Sequence, residues 1–292
     1  MKDFALKALE QIETSAGKGI WDAHWGCAVI AGALLVEEDL IGEEAKPMVR
    51  DLLGEILKAK PGFEGKGDGV RACLPRDRFG ARFLSELAPK AAVATEIGHD
   101  VIYPAYVMTA LARFRIAPWE SLADQLALLV QKVKASGPGW ITVNGENQAR
   151  ALVEVDSPAV ADAWEVFASF DRPKPMESGD MQLGHLLTHG HAIGMAKAWA
   201  GPELFRDLDL AFRKRLHGLR LATQDQRDKS PLPRRKLDPR AKEYWRLVAS
   251  LGDMHGHAFK YAYSFLDLRK GHPSEDDLWA FGRIVWPDME LP

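Results

Sequence analysis

The chain has 292 residues, with 38 lysines and arginines against 41 aspartates and glutamates, for a formal charge of -3. That length can bury a sizeable core, and the charge balance excludes the global basic field that recruits nucleic acid or acidic membranes. The only cysteines, Cys27 and Cys73, exclude a disulfide scaffold and a cysteine-rich zinc module and suit a reducing, cytoplasmic setting.

Apolar residues recurring at three- and four-residue intervals predict helices near 3–15, 20–38, 42–59, 78–88, 91–114, 119–135, 158–170, 181–200, 202–224, 239–268 and 275–284. The start, Met1 to Lys7, lacks the uninterrupted apolar stretch of a signal peptide. The run from Cys27 to Val36 is too short to span a bilayer and ends at Glu37-Glu38-Asp39. Pro118, Pro158 and Pro202 fall where a first helical turn tolerates proline, and Ser157 and Ser274 are placed as N-caps. The one strand candidate is Trp140-Ile141-Thr142-Val143 before Asn144-Gly145, which reads equally as the approach to a helix capped by Asn144. Loops are expected near 60–77 and 225–238, where glycine, proline and basic residues break the pattern. The glycines of the first loop are not a phosphate loop, because no strand precedes them and no Gly-Lys-Ser/Thr follows. The expected fold is therefore all-α: one domain over 1–292, an array of helical hairpins around a central pocket.

The chemistry concentrates in histidine. His-Gly-His-Ala occurs twice, at His189-Gly190-His191-Ala192 and His255-Gly256-His257-Ala258, and His24-Trp25-Gly26-Cys27-Ala28 and Gly98-His99-Asp100 are looser relatives. His24, His99, His185, His189, His191, His255 and His257 all sit at or near the start of apolar segments, although imidazole usually favours the surface. Aligned on His24, His99, His191 and His257, the fourth residue on is Ala28, Tyr103, Met195 or Tyr261, and the seventh is Ala31, Tyr106, Ala198 or Ser264. These offsets share a helix face. A face of small and aromatic residues suits helices converging on a cavity, with the four histidines as catalytic candidates and Tyr103, Tyr106, Tyr261, His189 and His255 as substrate contacts. His217 and His272 are expected outside it.

A metal is the alternative use of the same histidines. His185 and His189 are spaced to face one way on a helix, as in two-histidine zinc motifs, so His185, His189, His191, His255 and His257 form a candidate ligand set. Members of a His-x-His pair point roughly 200° apart on a helix, so shared chelation there needs a break at Gly190 or Gly256. The pair His99-Asp100 resembles that of HD-type metal phosphohydrolases, with Pro104 expected to interrupt the helix just beyond it.

The segments His24 to Leu34, Gly98 to Tyr106, Thr188 to Ala192 and Gly252 to Lys260 resemble, in the same order, the histidine-bearing helices of questin oxidase-like proteins. The resemblance implies an all-helical enzyme of NADPH-dependent, Baeyer–Villiger-like opening of aromatic polyketide rings, without an evident flavin fingerprint. It makes His24, His99, His191 and His257 the matching positions.

Three functions are open from these observations. One is an oxidoreductase acting on an aromatic or polyketide-like small molecule in a histidine- and tyrosine-lined apolar pocket, with imidazoles moving protons near neutral pH. Another is a metal-dependent hydrolase or oxygenase using a divalent ion. The last is a non-catalytic small-molecule-binding or scaffold protein. No Gly-x-Ser-x-Gly nucleophile motif or strand-linked dinucleotide fingerprint is present. The expected partner is a small molecule rather than nucleic acid or membrane, and the sequence says nothing of oligomeric state.

Overall fold

The computed structural model describes residues 1–19, 21–60, 62–63, 71–92, 98–133, 181–224, 236–251 and 255–285. Among them are eleven α-helices and no strand. In chain order these are α1 (Lys2–Ser15), α2 (His24–Glu37), α3 (Lys46–Ala59), α4 (Arg76–Leu87), α5 (His99–Arg113), α6 (Glu120–Lys132), α7 (Met181–Ala196), α8 (Pro202–Gln224), α9 (Lys242–Ala249), α10 (His255–Leu268) and α11 (Glu275–Val285). The all-helical expectation holds. No helix among the described residues is long and apolar enough to cross a membrane.

Helix α2 is the axis of the arrangement. His24 and every residue from Gly26 to Val36 are buried, so it has no polar face to turn to water and must be surrounded. Helices α1, α3, α5 and α10 pack against it, and α7 closes the ring by lying against α5 and α10. Close approach of α1 depends on Gly26, where a Cβ would stand 2.5 Å from Ile12 Cγ1 and 2.8 Å from the Ala8 carbonyl oxygen. The buried Gln11 of α1 then completes the start of α2. Its Oε1 accepts the Gly26 N–H at 2.9 Å, and its Nε2 donates to the Asp22 carbonyl and to Ser15 Oγ, each at 2.7 Å. A side chain from a neighbouring helix thereby does the work of the N-cap that Ala23 cannot do, satisfying one of the amides a helix start leaves open.

Several boundaries follow local chemistry. Ser274 caps α11 reciprocally: its Oγ accepts the Asp277 N–H at 3.2 Å, and Asp277 Oδ2 accepts the Ser274 N–H at 2.8 Å. Pro202 occupies the first position of α8 as expected. Pro118 does not open a helix; its carbonyl accepts the Leu74 N–H at 2.9 Å in an isolated antiparallel bridge of Cys73 with Trp119, and α6 begins at Glu120. The long helix expected over 239–268 is divided into α9 and α10. Pro104 lies inside α5 without interrupting it, because a proline near the helix start costs the one bond to the carbonyl four residues back while the next turn closes normally. Ser157, Pro158 and the strand candidate at 140–143 lie outside the described residues.

Candidate functional site

Helices α2, α5 and α10 begin at or beside histidines, and these starts meet against the first half of α7. His24 heads α2, His99 heads α5, His257 is the third residue of α10, and His185 lies one turn into α7. Ring centroids are 4.5 Å apart for His24 and His99, 5.2 Å for His24 and His257, 5.2 Å for His99 and His185, and 5.0 Å for His185 and His257. Four imidazoles from four helices thus form one closed set. Ligand atoms of His24, His99 and His185 all lie within 4.8 Å of one another.

The facing nitrogens are His24 Nε2 and His99 Nε2, 3.2 Å apart. His24 Nδ1 meets the Tyr103 hydroxyl at 2.8 Å, while the His99 ring stacks on the Tyr103 ring at 5.3 Å. Tyr103 therefore belongs to both imidazoles, and the tautomer of His24 decides what its Nε2 offers. With the phenol donating to Nδ1, Nε2 carries the proton and donates to His99. With Nδ1–H donating to the phenol oxygen, Nε2 presents a lone pair toward the set. Tyr261, one turn beyond His257, stands 5.7 Å from His257 and 6.3 Å from His185, ring to ring.

Burial holds two of the rings neutral. His24 and His257 titrate well below the usual histidine range, first because charged imidazolium loses its hydration there and then because Lys260 and the other imidazoles repel a further positive charge. His257 is half-buried as a residue, yet its Nε2 is sheltered from solvent and makes no hydrogen bond among the described residues. Lys260, three residues on from His257, is buried and its ammonium pKa falls to about 7, with desolvation as the cause and Cys27 opposing it. The Cys27 thiol is pushed up to about 12 by burial, which leaves it an inert core group. Tyr103 is likewise held as the neutral phenol by desolvation.

Of the expected catalytic histidines, His24, His99 and His257 come together and His191 does not. His191 Nε2 is 2.7 Å from Asp267 Oδ2, and the ring packs edge-on to Tyr263 at 5.2 Å. Burial alone would raise the Asp267 carboxyl, but the hydrogen bond from His191 and the charge of Arg113 outweigh it and hold the group low. The place expected for His191 belongs to His185, six residues earlier on α7 and therefore about 120° away around the helix. The break imagined at the His-Gly-His glycines is absent: Gly190 and Gly256 are both helical, and a Cβ there would lie 2.8 Å from Phe212 Cζ and 3.3 Å from Trp25 Cζ3, so close packing is their role. Of the five-histidine ligand set, His185 and His257 are in the cluster and His191 is not. Tyr106 turns to α10, 3.4 Å from both the Lys260 carbonyl and Ser264 Oγ. His272 is exposed in the turn before α11, as expected, whereas the side chains of His255 and His217 lie outside the described residues.

His189 buttresses the site from behind. Gly98, the residue before His99, has φ 78°, and a Cβ on it would fall 2.3 Å from His189 Cγ. Gly98→Ala is expected to cost about 1–3 kcal/mol from the left-handed backbone alone and more from the clash. A chemical-denaturation midpoint no lower than that of wild type would contradict this contact.

Lys260 was within reach of sequence reasoning: it lies at i+3 from His257, on the face that also carries Tyr261 and Ser264. A lone lysine on an otherwise small and aromatic face was the available signal. Nothing in the sequence flagged Trp21, whose ring lies 5.1 Å from His24 and 5.4 Å from His99.

The fold and this centre define an all-helical protein with a buried four-histidine cluster assembled from helix starts. No protein-family model matches the chain, and no curated protein or solved structure matches it significantly.

Proposed function

We propose that the chain is an all-helical, metal-dependent oxidoreductase of the oxygenase type, acting on an aromatic or polyketide-like small molecule. The observation carrying the metal is the spacing of the ligand atoms of His24, His99 and His185. A tetrahedral zinc-like site with nitrogen ligands sets neighbouring ligand atoms about 3.3 Å apart, and His24 and His99 already approach to 3.2 Å. Three buried imidazoles with no carboxylate among them favour a first-row transition ion over magnesium or calcium. Such an ion supplies Lewis-acid or one-electron chemistry when bound.

The chain's own residues prepare the centre for that role. With its Nδ1–H donated to Tyr103, His24 presents the Nε2 lone pair inward, the usual outer partnership of a ligating histidine. Lys260, close to neutral at physiological pH, can accept or return a proton beside His257. Tyr261 offers an aromatic wall, with its phenol as a polar handle. The aromatic substrate follows from the likeness to questin oxidase-like proteins and from these tyrosines. That likeness would also bring NADPH; among the described residues no strand leads into a glycine-rich helix start, so no residue is assigned to it.

Untagged protein, prepared without added metal and then titrated with Co²⁺, is the test. One equivalent bound per chain, with a visible d–d spectrum and a raised Tm, is expected. Substoichiometric binding with no thermal shift would leave a metal-free acid–base pocket as the better account.

A further inference from the structure

Trp21 is placed where an exposed residue and the buried centre meet. Among the described residues the exposed large hydrophobic side chains are Trp21, at 53 %, and Trp279, at 37 %. Isolated apolar side chains on a surface are common and need no explanation. What separates Trp21 is its inner face. Its indole stands 5.1 Å from the His24 ring and 5.4 Å from the His99 ring, distances of direct contact that leave no room for another group between. His99 is 0 % exposed and His24 6 %. The Trp21 ring is therefore an exposed group in direct contact with both of these buried imidazoles.

The backbone under that ring is held. Gln11 Nε2 grips the Asp22 carbonyl at 2.7 Å, and the His24 N–H donates to the Trp21 carbonyl at 3.2 Å, so the turn 21–23 is tied to α1 on one side and to α2 on the other. Movement is left to the side chain. An exposed ring changes rotamer on a picosecond-to-nanosecond scale, far faster than helices separate.

We propose that the indole of Trp21 is the gate of the histidine centre, swinging aside to admit ligands to His24 and His99 and selecting them by size. From the function proposed above it takes only that ligands enter this centre, and its main test needs no metal. A flat or small ligand passes the ring or stacks on it; a bulky one is refused. Because the gate is a side chain on a fixed turn, enlarging the opening should leave the helices and the histidine geometry in place.

The test is carbethoxylation of metal-free protein by diethyl pyrocarbonate, followed residue by residue by peptide mass spectrometry, in wild type, Trp21→Ala, Trp21→Leu, Trp21→Phe and Trp279→Ala. Trp21→Ala should raise the rates at His24 and His99 about tenfold, equivalent to about 1.4 kcal/mol less opening free energy. Trp21→Leu should fall between, and Trp21→Phe and Trp279→Ala should stay near wild type. Unchanged rates at His24 and His99 in both Trp21→Ala and Trp21→Leu would overturn the gate. So would a rise at His191 as large as that at His24, because that signals general loosening. In a second arm, Co²⁺ uptake by Trp21→Ala should be faster with the same stoichiometry. Absence of Co²⁺ binding in every variant would defeat the metal reading, while the carbethoxylation rates would still decide the gate.

Discussion

On the metal-dependent function proposed above, replacing His99 with alanine is expected to abolish metal binding and turnover together while leaving the helices intact. His99 contributes the nitrogen 3.2 Å from His24 Nε2 and is one of three histidines whose ligand atoms gather within 4.8 Å. Loss of an outer partner of a ligating histidine costs roughly 10–100-fold in affinity, so loss of a ligand should cost more than about 100-fold. Turnover should fall by a similar factor whether His99 ligates or moves a proton, which makes metal content the discriminating measurement. The comparison variants sharpen it. Tyr103→Phe keeps the ring stacked on His99 but removes the oxygen that orients His24, and should fall in the 10–100-fold range. His191→Ala should retain metal, because that imidazole is committed to Asp267. Co²⁺ binding by His99→Ala with wild-type affinity, or loss of metal from His191→Ala, would refute this assignment of ligands.

The second large effect is on stability and runs the opposite way. Lys260→Met should make the metal-free protein more stable at neutral pH. An exposed lysine in the unfolded chain titrates near 10.5, whereas the buried Lys260 titrates at about 7. A depressed folded-state pKa leaves stability whole above the unfolded value and erodes it as pH falls toward the folded one. Each unit of difference is about 1.4 kcal/mol, so at pH 7 the amine costs on the order of 5 kcal/mol relative to pH 11. Methionine fills a similar volume without a charge to desolvate and should recover a few kcal/mol of this. The gain should shrink steadily as pH rises from 7 to 10. Below pH 6.5 both proteins should lose stability, because His24 and His257 stay neutral when folded while their unfolded counterparts take up protons. Urea unfolding between pH 5 and 10 reads the whole profile; a Lys260→Met protein no more stable than wild type at pH 7 would show that the amine is not held neutral at a cost.

Much of this was legible along the chain. Apolar spacing and capping chemistry are local, so the helices, the Ser274 cap and the burial of the run after His24 followed from residues within a turn or two of one another. His24, His99, His191 and His257 were recognisable as a set because each lies at or near the start of an apolar helix, and three of the four come together. The i, i+4 relation correctly placed Tyr261 beside His257. It put Tyr103 on the same helix face as His99, but the hydrogen bond Tyr103 makes is to His24 on another helix.

The remaining assignments depended on how helices cross. Alignment by the repeated His-Gly-His-Ala chose His191, yet α7 meets the centre through His185, because contact is set by rotation about the helix axis and six residues turn the face by about 120°. The glycines that looked like chain breaks serve instead as contact points for Phe212 and Trp25, side chains far away in sequence. Gln11 completing the start of α2 and Trp21 lying over His24 and His99 are likewise products of α1, α2 and α5 being brought together. Periodicity, a short-range property of the chain, settles which residues share a face. Which faces meet depends on crossing angles and close approaches summed over the whole core, and only the assembled helices decide it.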